Sequence, residues 1–234
     1  MSQERAIEVW ATAALREAYK VLAPQFERDA GHKVIIHWIS TVDLMKRLKA
    51  GEVTDLVIST AGNIEELTRV GVLKRESWVD LAKSGVGVAV RAGTAKPDIS
   101  TAEALKQTLL AAKSISYSTG PSGVYMIQLI ERMGITDALK PKVKQVKGEP
   151  IGAVVARADA DIGFQQISEL LPVQGIDIVG PLPAEVQEIT VFRAGVHIKA
   201  RAPDLANTFA RYVAAPAAGA VLKQTGLVPI QEST

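Results

Sequence analysis

The sequence alternates short apolar runs with amphipathic stretches of helical length. Residues 7–11 are predicted to form a buried strand, and residues 14–28 follow with apolar side chains at helical spacing. A second strand and helix span residues 34–51, and a third pair spans residues 55–70. Because consecutive strand–helix pairs place their strands side by side in one direction, this alternation predicts a parallel sheet covered by helices on both faces.

The alternation breaks near residues 86–91, where a strand follows a loop instead of a helix. Further helices and strands follow, and residues 189–193 form a strand that we expect to return the chain to the first sheet. We therefore predict two lobes joined by a hinge, residues 1–86 with 192–234 and residues 87–191. Both lobes lie in the size range of about 100–150 residues that is usual for a domain.

Composition excludes several classes of function. The net charge is +2 and basic residues are spread along the chain among nearly as many acidic ones, so we expect no nucleic-acid partner. Cysteine is absent, which excludes disulfides, thiolate metal sites and a cysteine nucleophile. No apolar run approaches the roughly 20 residues of a membrane-spanning helix. The first ten residues lack a signal-peptide pattern, so we expect a periplasmic protein if such a peptide has been removed and a cytoplasmic one otherwise.

Three segments place small or hydroxyl-bearing residues between the end of a strand and the start of a helix. They are residues 12–14, 40–41 and 118–123. The unpaired N–H groups and the positive dipole end of a helix start hold anions, and ligands of open α/β sheets bind beyond the carboxyl ends of the strands. These segments therefore predict a site for a small anion. The alternative that Thr41 and Ser122 only cap their helices stays open.

Catalytic motifs with a recognisable mechanism are absent from the sequence. The three histidines, His32, His37 and His197, have no spacing that indicates a shared metal ion. Gln165 and Gln166, at the end of a predicted strand, either donate amide hydrogen bonds to the ligand or face solvent. We predict a binding protein without enzymatic activity, cofactor or metal.

The order of several short segments resembles the molybdate-binding proteins of ABC importers, within the type II periplasmic solute-binding proteins. The likeness runs almost from end to end. The matching segments are Val9–Leu15, Ser40–Thr41 with Leu44 and Ala50–Gly51, Asp55–Ser59, Pro121–Tyr125, Ala160–Phe164, Pro216–Ala218 and Gly226–Leu227.

This resemblance implies a two-lobed α/β fold of the type II periplasmic-binding-protein class, with mixed, mainly parallel sheets, helices on both faces and a hinge. It also implies the solute-binding component of an ABC-type importer, a monomer that delivers its ligand to the membrane subunit of the transporter. The ligand would be a molybdate-like or tungstate-like oxyanion in the cleft between the lobes. The alternative is a cytosolic sensor or binding protein for a small anion or carboxylate, without a role in transport.

The resemblance also implies which residues contact the ligand. They are Ala14, Thr41, Ser122, a backbone contact near Pro150 or Ile151, and Gln166. Thr12 and Ala13 join them as candidates because they belong to the strand–helix junction at residues 12–14. Ala14 lacks the hydroxyl that the family carries at its position, and Gln166 has an amide where the family has a phenol. Because each altered hydrogen bond changes binding by about 0.5–1.5 kcal/mol, the identity of the anion stays open.

Overall fold

The computed structural model describes residues 6–230 and divides into two compact units. Unit 1 comprises Met1–Ser84 and Thr190–Thr234, and unit 2 comprises Gly85–Ile189. The chain passes from one unit to the other twice, each time two residues before the lobe boundary that we predicted from the sequence.

Unit 1 begins with three strand–helix pairs, as the apolar periodicity predicts. They are β1 (Ala6–Ala11) with α1 (Arg16–Ala30), β2 (Lys33–Trp38) with α2 (Thr41–Lys49), and β3 (Leu56–Thr60) with α3 (Ala61–Arg69). Short 3-10 turns at Ala13–Leu15 and Arg75–Ser77 precede α1 and the next strand, β4 (Val79–Arg91). Strand β4 enters unit 2 after Ser84.

Unit 2 continues with five helices and four strands after β4. They are α4 (Ala102–Ala111), β5 (Ile115–Ser118), α5 (Pro121–Arg132), α6 (Thr136–Leu139), β6 (Val143–Val146), α7 (Ile151–Ala156), β7 (Ile162–Gln166), α8 (Ile167–Leu170) and β8 (Ile176–Pro181). Strands β6, β5 and β7 are parallel, and the unit 2 part of β4 pairs antiparallel with both β7 and β8.

The chain returns to unit 1 in β9 (Ile189–Val196), followed by α9 (Pro203–Ala214), a 3-10 turn (Pro216–Ala218), α10 (Gly219–Gln224) and β10 (Val228–Pro229). The predicted strand over residues 189–193 is present and extends further, to Val196, because Gly195 does not interrupt β9. Its missing side chain instead lets Leu73 pack closely, since a Cβ at Gly195 would lie 3.0 Å from Leu73 Cδ1.

The sheet of unit 1 has helices on both faces, as predicted. Strands β2, β1 and β3 are parallel, and β9 runs antiparallel to β3. Successive residues of β1 enter different cores because side chains alternate across a strand. Val9 packs with Tyr19, Phe26 and Phe209 from α1 and α9, whereas Trp10 packs with side chains of α2 and α3.

Candidate functional site

The carboxyl ends of β1, β2 and β3 lie at one edge of the unit 1 sheet. The Thr12 N–H donates to the Ile58 carbonyl at 3.1 Å, and the Ile39 N–H donates to the Ala11 carbonyl at 3.0 Å. Parallel pairing thus brings Thr12 and Thr41, two of the predicted ligand contacts, to the same sheet edge.

Thr12 is buried at this edge without a protein partner for its hydroxyl. It stands at the N-cap position of the 3-10 turn, yet its side chain makes no capping bond. Only 4% of the residue is exposed, and its Oγ1 atom has no hydrogen-bond partner among residues 6–230. Ala13 follows partly exposed and Ala14 buried, so this turn offers backbone N–H groups and one hydroxyl.

Ser40, and not Thr41, caps helix α2. The Ser40 Oγ accepts from the Asp43 N–H at 3.1 Å and donates to the Asp43 carboxylate at 2.6 Å. Thr41 is the first residue of the helix. The interpretation of Thr41 as the cap is therefore wrong, because the neighbouring hydroxyl already fills that role.

The end of β3 carries two hydroxyls that sequence reasoning did not single out. Thr60 caps α3 by accepting from the Asn63 N–H at 3.3 Å. Ser59 is fully buried and accepts from the Asn63 side-chain amide at 2.9 Å. The signal was available, since a serine–threonine pair between a buried strand and a helix repeats the pattern of the other segments.

Arg16 is a third residue that the sequence pattern did not single out. It is the first residue of α1, and its guanidinium lies over the indole ring of Trp38, 5.2 Å from the ring centroid. Its Nε atom is buried and has no hydrogen-bond partner in the described part of the chain. Tyr19, one turn later, contacts the same indole at 6.1 Å between ring centroids.

The Tyr19 hydroxyl is also buried and lacks a partner within residues 6–230. Burial raises the pKa of this phenol far above its ordinary value, so Tyr19 is neutral and presents an O–H donor.

In unit 2, Ser122 lies in the first turn of α5, fully buried and next to Ser118. The two hydroxyl oxygens are 3.5 Å apart, and Ser118 Oγ also accepts from the Gly120 N–H at 3.1 Å. Gly120 occupies the N-cap position without a side-chain bond, so Ser122 does not cap the helix. The capping interpretation of Ser122 is therefore wrong as well.

Gly123 lets α5 approach β5 closely. A Cβ at this position would lie 1.6 Å from the Ser118 carbonyl oxygen, which no real contact permits. The small residue therefore fixes the start of α5, and with it Ser122, against the carboxyl end of β5.

The other predicted contacts of unit 2, Ile151 and Gln166, are buried near the ends of α7 and β7. The Ile151 N–H donates to the side-chain oxygen of Gln165 at 2.8 Å. Gln165 and Gln166 are 5% and 0% exposed, so the alternative that they face solvent is wrong. Ser168 lies two residues further on, and its buried hydroxyl has no partner among the residues described.

His197 has a structural position in unit 1. Its ring Nδ1 accepts from the Lys199 N–H at 3.0 Å, and burial, with Lys199 nearby, lowers the pKa of the imidazole.

Within residues 6–230 no three potential metal ligands of the His, Asp or Glu type come together. None of the helices described has the length and apolar character needed to cross a bilayer.

Known proteins share the sequence pattern of this chain along nearly its whole length. The sequence model of the bacterial extracellular solute-binding proteins matches residues 7–228. The chain belongs to this family. Similar proteins of known fold and name confirm its α/β fold and its resemblance to the molybdate-binding type of solute-binding protein.

An aconitate isomerase from a Pseudomonas species is 34% identical over 230 residues, which cover 96% of this chain and 88% of the relative. The molybdate-binding protein ModA of Escherichia coli K12 is 24% identical over 236 residues, covering 97% and 90%. The periplasmic molybdate-binding protein of Azotobacter vinelandii has the same fold, with a TM-score of 0.78 at 22% identity and coverage of 96% and 100%.

Proposed function

We propose that this chain is a solute-binding protein for a small anion, and that each unit carries candidate donors for it. In unit 1 the donors are the Thr12 and Thr41 hydroxyls and the backbone at Ala13 and Ala14. In unit 2 they are Ser122 and Gln166, together with the side-chain amide of Gln165, whose oxygen accepts the Ile151 N–H. The observation that carries the proposal is the buried Thr12 hydroxyl, which lies at the carboxyl end of a central strand without a protein partner.

The physical argument is the cost of leaving such a group unsatisfied. A buried hydroxyl without a partner costs about 1–3 kcal/mol, so evolution of a stable fold favours an apolar residue there unless the hydroxyl serves a ligand. Thr12 also stands before a helical turn, where N–H groups and the helix dipole favour negative charge. Relatives named for molybdate binding support an anion as the ligand.

In unit 2 the Ile151–Gln165 bond refines the proposed contact. Because the Gln165 oxygen accepts the Ile151 N–H, the amide nitrogen of Gln165 is directed to the other side of the carboxamide. We propose that the ligand is bound by this amide group and not by the Ile151 N–H itself.

We further propose that the protein acts outside the cytoplasm as a monomer and delivers its ligand to the membrane subunit of an ABC importer. The description of the family as extracellular supports this compartment. A cytosolic anion sensor is the alternative, and fractionation of cells that express the natural gene separates the two.

The test is calorimetric titration of the purified protein with molybdate, tungstate, sulfate and small carboxylates. At one hundred times its dissociation constant a ligand stabilises the fold by about 2.7 kcal/mol, so a melting-temperature screen gives the first ranking. Thr12→Val, which keeps the shape and removes the hydroxyl, should weaken binding about five- to tenfold without loss of stability.

The matched control is Thr208→Val, because that hydroxyl only bonds the Asp204 carbonyl within α9. It should leave affinity unchanged. Unaltered affinity in Thr12→Val, or no binding of any anion by the parent protein, would contradict the proposal.

A second candidate function is isomerisation of an organic polycarboxylate. The 34% identity to an aconitate isomerase over 96% of the chain favours it. The test is incubation of catalytic amounts of protein with cis-aconitate or trans-aconitate, followed by chromatography of the acids. Conversion of many equivalents would establish an enzyme, whereas binding without conversion would leave the solute-binding function.

A further inference from the structure

We propose that unit 1 contains a carboxylate subsite formed by the Arg16 guanidinium and the Thr12 hydroxyl beside the Trp38 ring. The ligand is then an organic carboxylate and not a tetrahedral metal oxyanion. This inference rests on the proposed anion-binding function and names the chemical class of the anion.

The position of Arg16 is unfavourable for the helix that carries it. Arg16 is the first residue of α1, where the helix dipole presents positive charge and repels a cation. Glu17 beside it suits this end of the helix, and it pairs with Lys20 at 2.7 Å, not with Arg16. The contribution of Arg16 to helix stability therefore does not explain its presence.

The surroundings of Arg16 provide no anionic partner. Its guanidinium stacks on Trp38, its Nε atom is buried without a hydrogen bond, and it makes no ion pair with the described residues. Buried donors without partners are rare in native proteins, and each is expensive. A guanidinium in this state matches a ligand that brings negative charge and acceptor oxygens.

Buried donors without a hydrogen-bond partner are concentrated around Arg16 and Trp38. Four side chains among residues 6–230 carry a buried polar atom without a hydrogen bond, namely Thr12, Arg16, Tyr19 and Ser168. Three of them lie within eight positions of the chain, around the carboxyl ends of β1 and β2. Arg16 and Tyr19 share one face of α1, since they are three residues apart, and both contact Trp38.

The chemistry of these groups selects a carboxylate. The planar guanidinium donates two parallel hydrogen bonds to a planar carboxylate, which a compact ammonium cannot do. The partly exposed indole of Trp38 adds an apolar face for the carbon atoms that a carboxylic acid carries and a metal oxyanion lacks. Relative to the oxyanion site that the resemblance implies, Ala14 lacks a hydroxyl donor and Gln166 has an amide instead of a phenol, and both departures agree with a different anion.

The experiment measures the affinity of two groups of ligands, here called arms, for the parent protein and for two Arg16 variants. Calorimetry measures trans-aconitate, tricarballylate and citrate in one arm and molybdate, tungstate and sulfate in the other. We expect the parent protein to bind the carboxylates. Arg16→Gln should weaken their binding about 100-fold, and Arg16→Lys about tenfold, because lysine keeps the positive charge but cannot donate two parallel hydrogen bonds to a carboxylate.

Arg75→Gln is the matched control. Arg75 also stacks on an indole of unit 1, that of Trp78 at 4.0 Å, and it is exposed and outside the proposed site. It should leave the affinity within twofold. Without ligand, Arg16→Gln should melt at the same temperature as the parent or higher, because it removes a cation from the positive end of α1.

Binding of only the oxyanion arm would overturn the carboxylate subsite and leave the proposed anion-binding function intact. Carboxylate binding that is equally tight in Arg16→Gln would also overturn it. Absence of binding in both arms would refute the proposed function and this inference together.

Discussion

Gln165 accepts a hydrogen bond from the backbone N–H of Ile151 at 2.8 Å and so satisfies the first buried donor of helix α7. Both residues are almost completely buried, at 5% and 0% exposure. A side chain from the end of β7 thus performs the capping task that residues before a helix usually perform, because Pro150 at the N-cap position has no acceptor side chain.

We therefore expect Gln165→Leu to lower the free energy of unfolding by about 1–3 kcal/mol. The substitution preserves volume but leaves the Ile151 N–H buried without an acceptor. Urea denaturation at neutral pH measures the change. Gln145→Leu is the control, because the Gln145 amide makes only an exposed, long bond of 3.4 Å to the Ser118 carbonyl. Equal stabilities of Gln165→Leu and the parent would show that the Ile151 N–H finds another acceptor.

Gly123→Ala should prevent unit 2 from folding correctly. The new Cβ would lie 1.6 Å from the Ser118 carbonyl oxygen, a backbone atom that cannot move without displacing β5. We expect a loss of more than about 3 kcal/mol, or insoluble protein, measured by denaturation and by near-ultraviolet circular dichroism.

The control for this substitution is Gly62→Ala in α3, where a Cβ meets nothing within 4 Å. It should be neutral or slightly stabilising, because alanine favours the helix. A Gly123→Ala protein as stable as the parent would contradict the close approach of α5 to β5.

Substitutions at Ser40 and Thr41 should distinguish helix capping from ligand binding. Ser40→Ala removes the acceptor of the Asp43 N–H and should cost about 1 kcal/mol of stability. Thr41→Val removes a hydroxyl that does not cap and should leave stability within about 0.5 kcal/mol. If Thr41 donates to the ligand, Thr41→Val weakens binding about five- to tenfold in the calorimetric titration. A large stability loss in Thr41→Val, with normal affinity, would assign Thr41 a structural role only.

Periodicity predicted the fold well where apolar residues are regular. The three strand–helix pairs from β1 to α3 follow from residues 7–11, 34–38 and 55–59, because each of these short runs is bounded by a helical pattern or a turn. Strands β6 and β8 are not indicated by the sequence pattern. Val143–Val146 carries an exposed lysine and an exposed glutamine between its valines, so nothing in the local pattern distinguishes it from a loop.

The candidate site was less predictable because its decisive features are contacts between distant positions. The hydroxyls at Thr12 and Thr41 were visible from their places after strands. The stacking of Arg16 on Trp38 joins residues 22 positions apart, and it depends on the register of β1 with β2. The bond from Ile151 to Gln165 likewise requires α7 to pack on β7. The position of Arg16 at the start of a helix is a local signal that could have pointed to this part of the site.

Lowering the pH should reduce the stability of unit 1 through protonation of His197. Burial lowers the pKa of this imidazole below its ordinary value of 6.5, so the unfolded chain takes up the proton first as pH falls. The stabilising contribution is complete above about pH 6.5 and is lost below it, with a slope of at most about 1.4 kcal/mol per pH unit. Denaturation at a series of pH values should show a weaker pH dependence for His197→Gln than for the parent. Identical profiles would show that His197 does not titrate differently in the two states.

Tyr19→Phe should stabilise the ligand-free protein. The Tyr19 hydroxyl is buried without a partner in the part of the chain that the structure describes, so its removal recovers a desolvation cost of about 1–3 kcal/mol. The ring keeps its contacts with Trp38 at 6.1 Å and Phe209 at 5.6 Å between centroids. The gain is measured by urea denaturation without ligand.

Tyr212→Phe is the matched comparison, because the Tyr212 hydroxyl donates to the Asp29 carboxylate at 2.9 Å on the surface. We expect that variant to change stability by less than about 0.5 kcal/mol, because the hydrogen bond that it loses is exposed to solvent. The two phenols thus differ in whether the fold already satisfies them. If Tyr19→Phe were less stable than the parent, the hydroxyl would have a structural partner. The unsatisfied donors around Trp38 would then be only those of Thr12 and Arg16. If it were more stable, a parallel loss of carboxylate affinity would place the Tyr19 hydroxyl in contact with the ligand, whereas unchanged affinity would confine the subsite to Arg16 and Thr12.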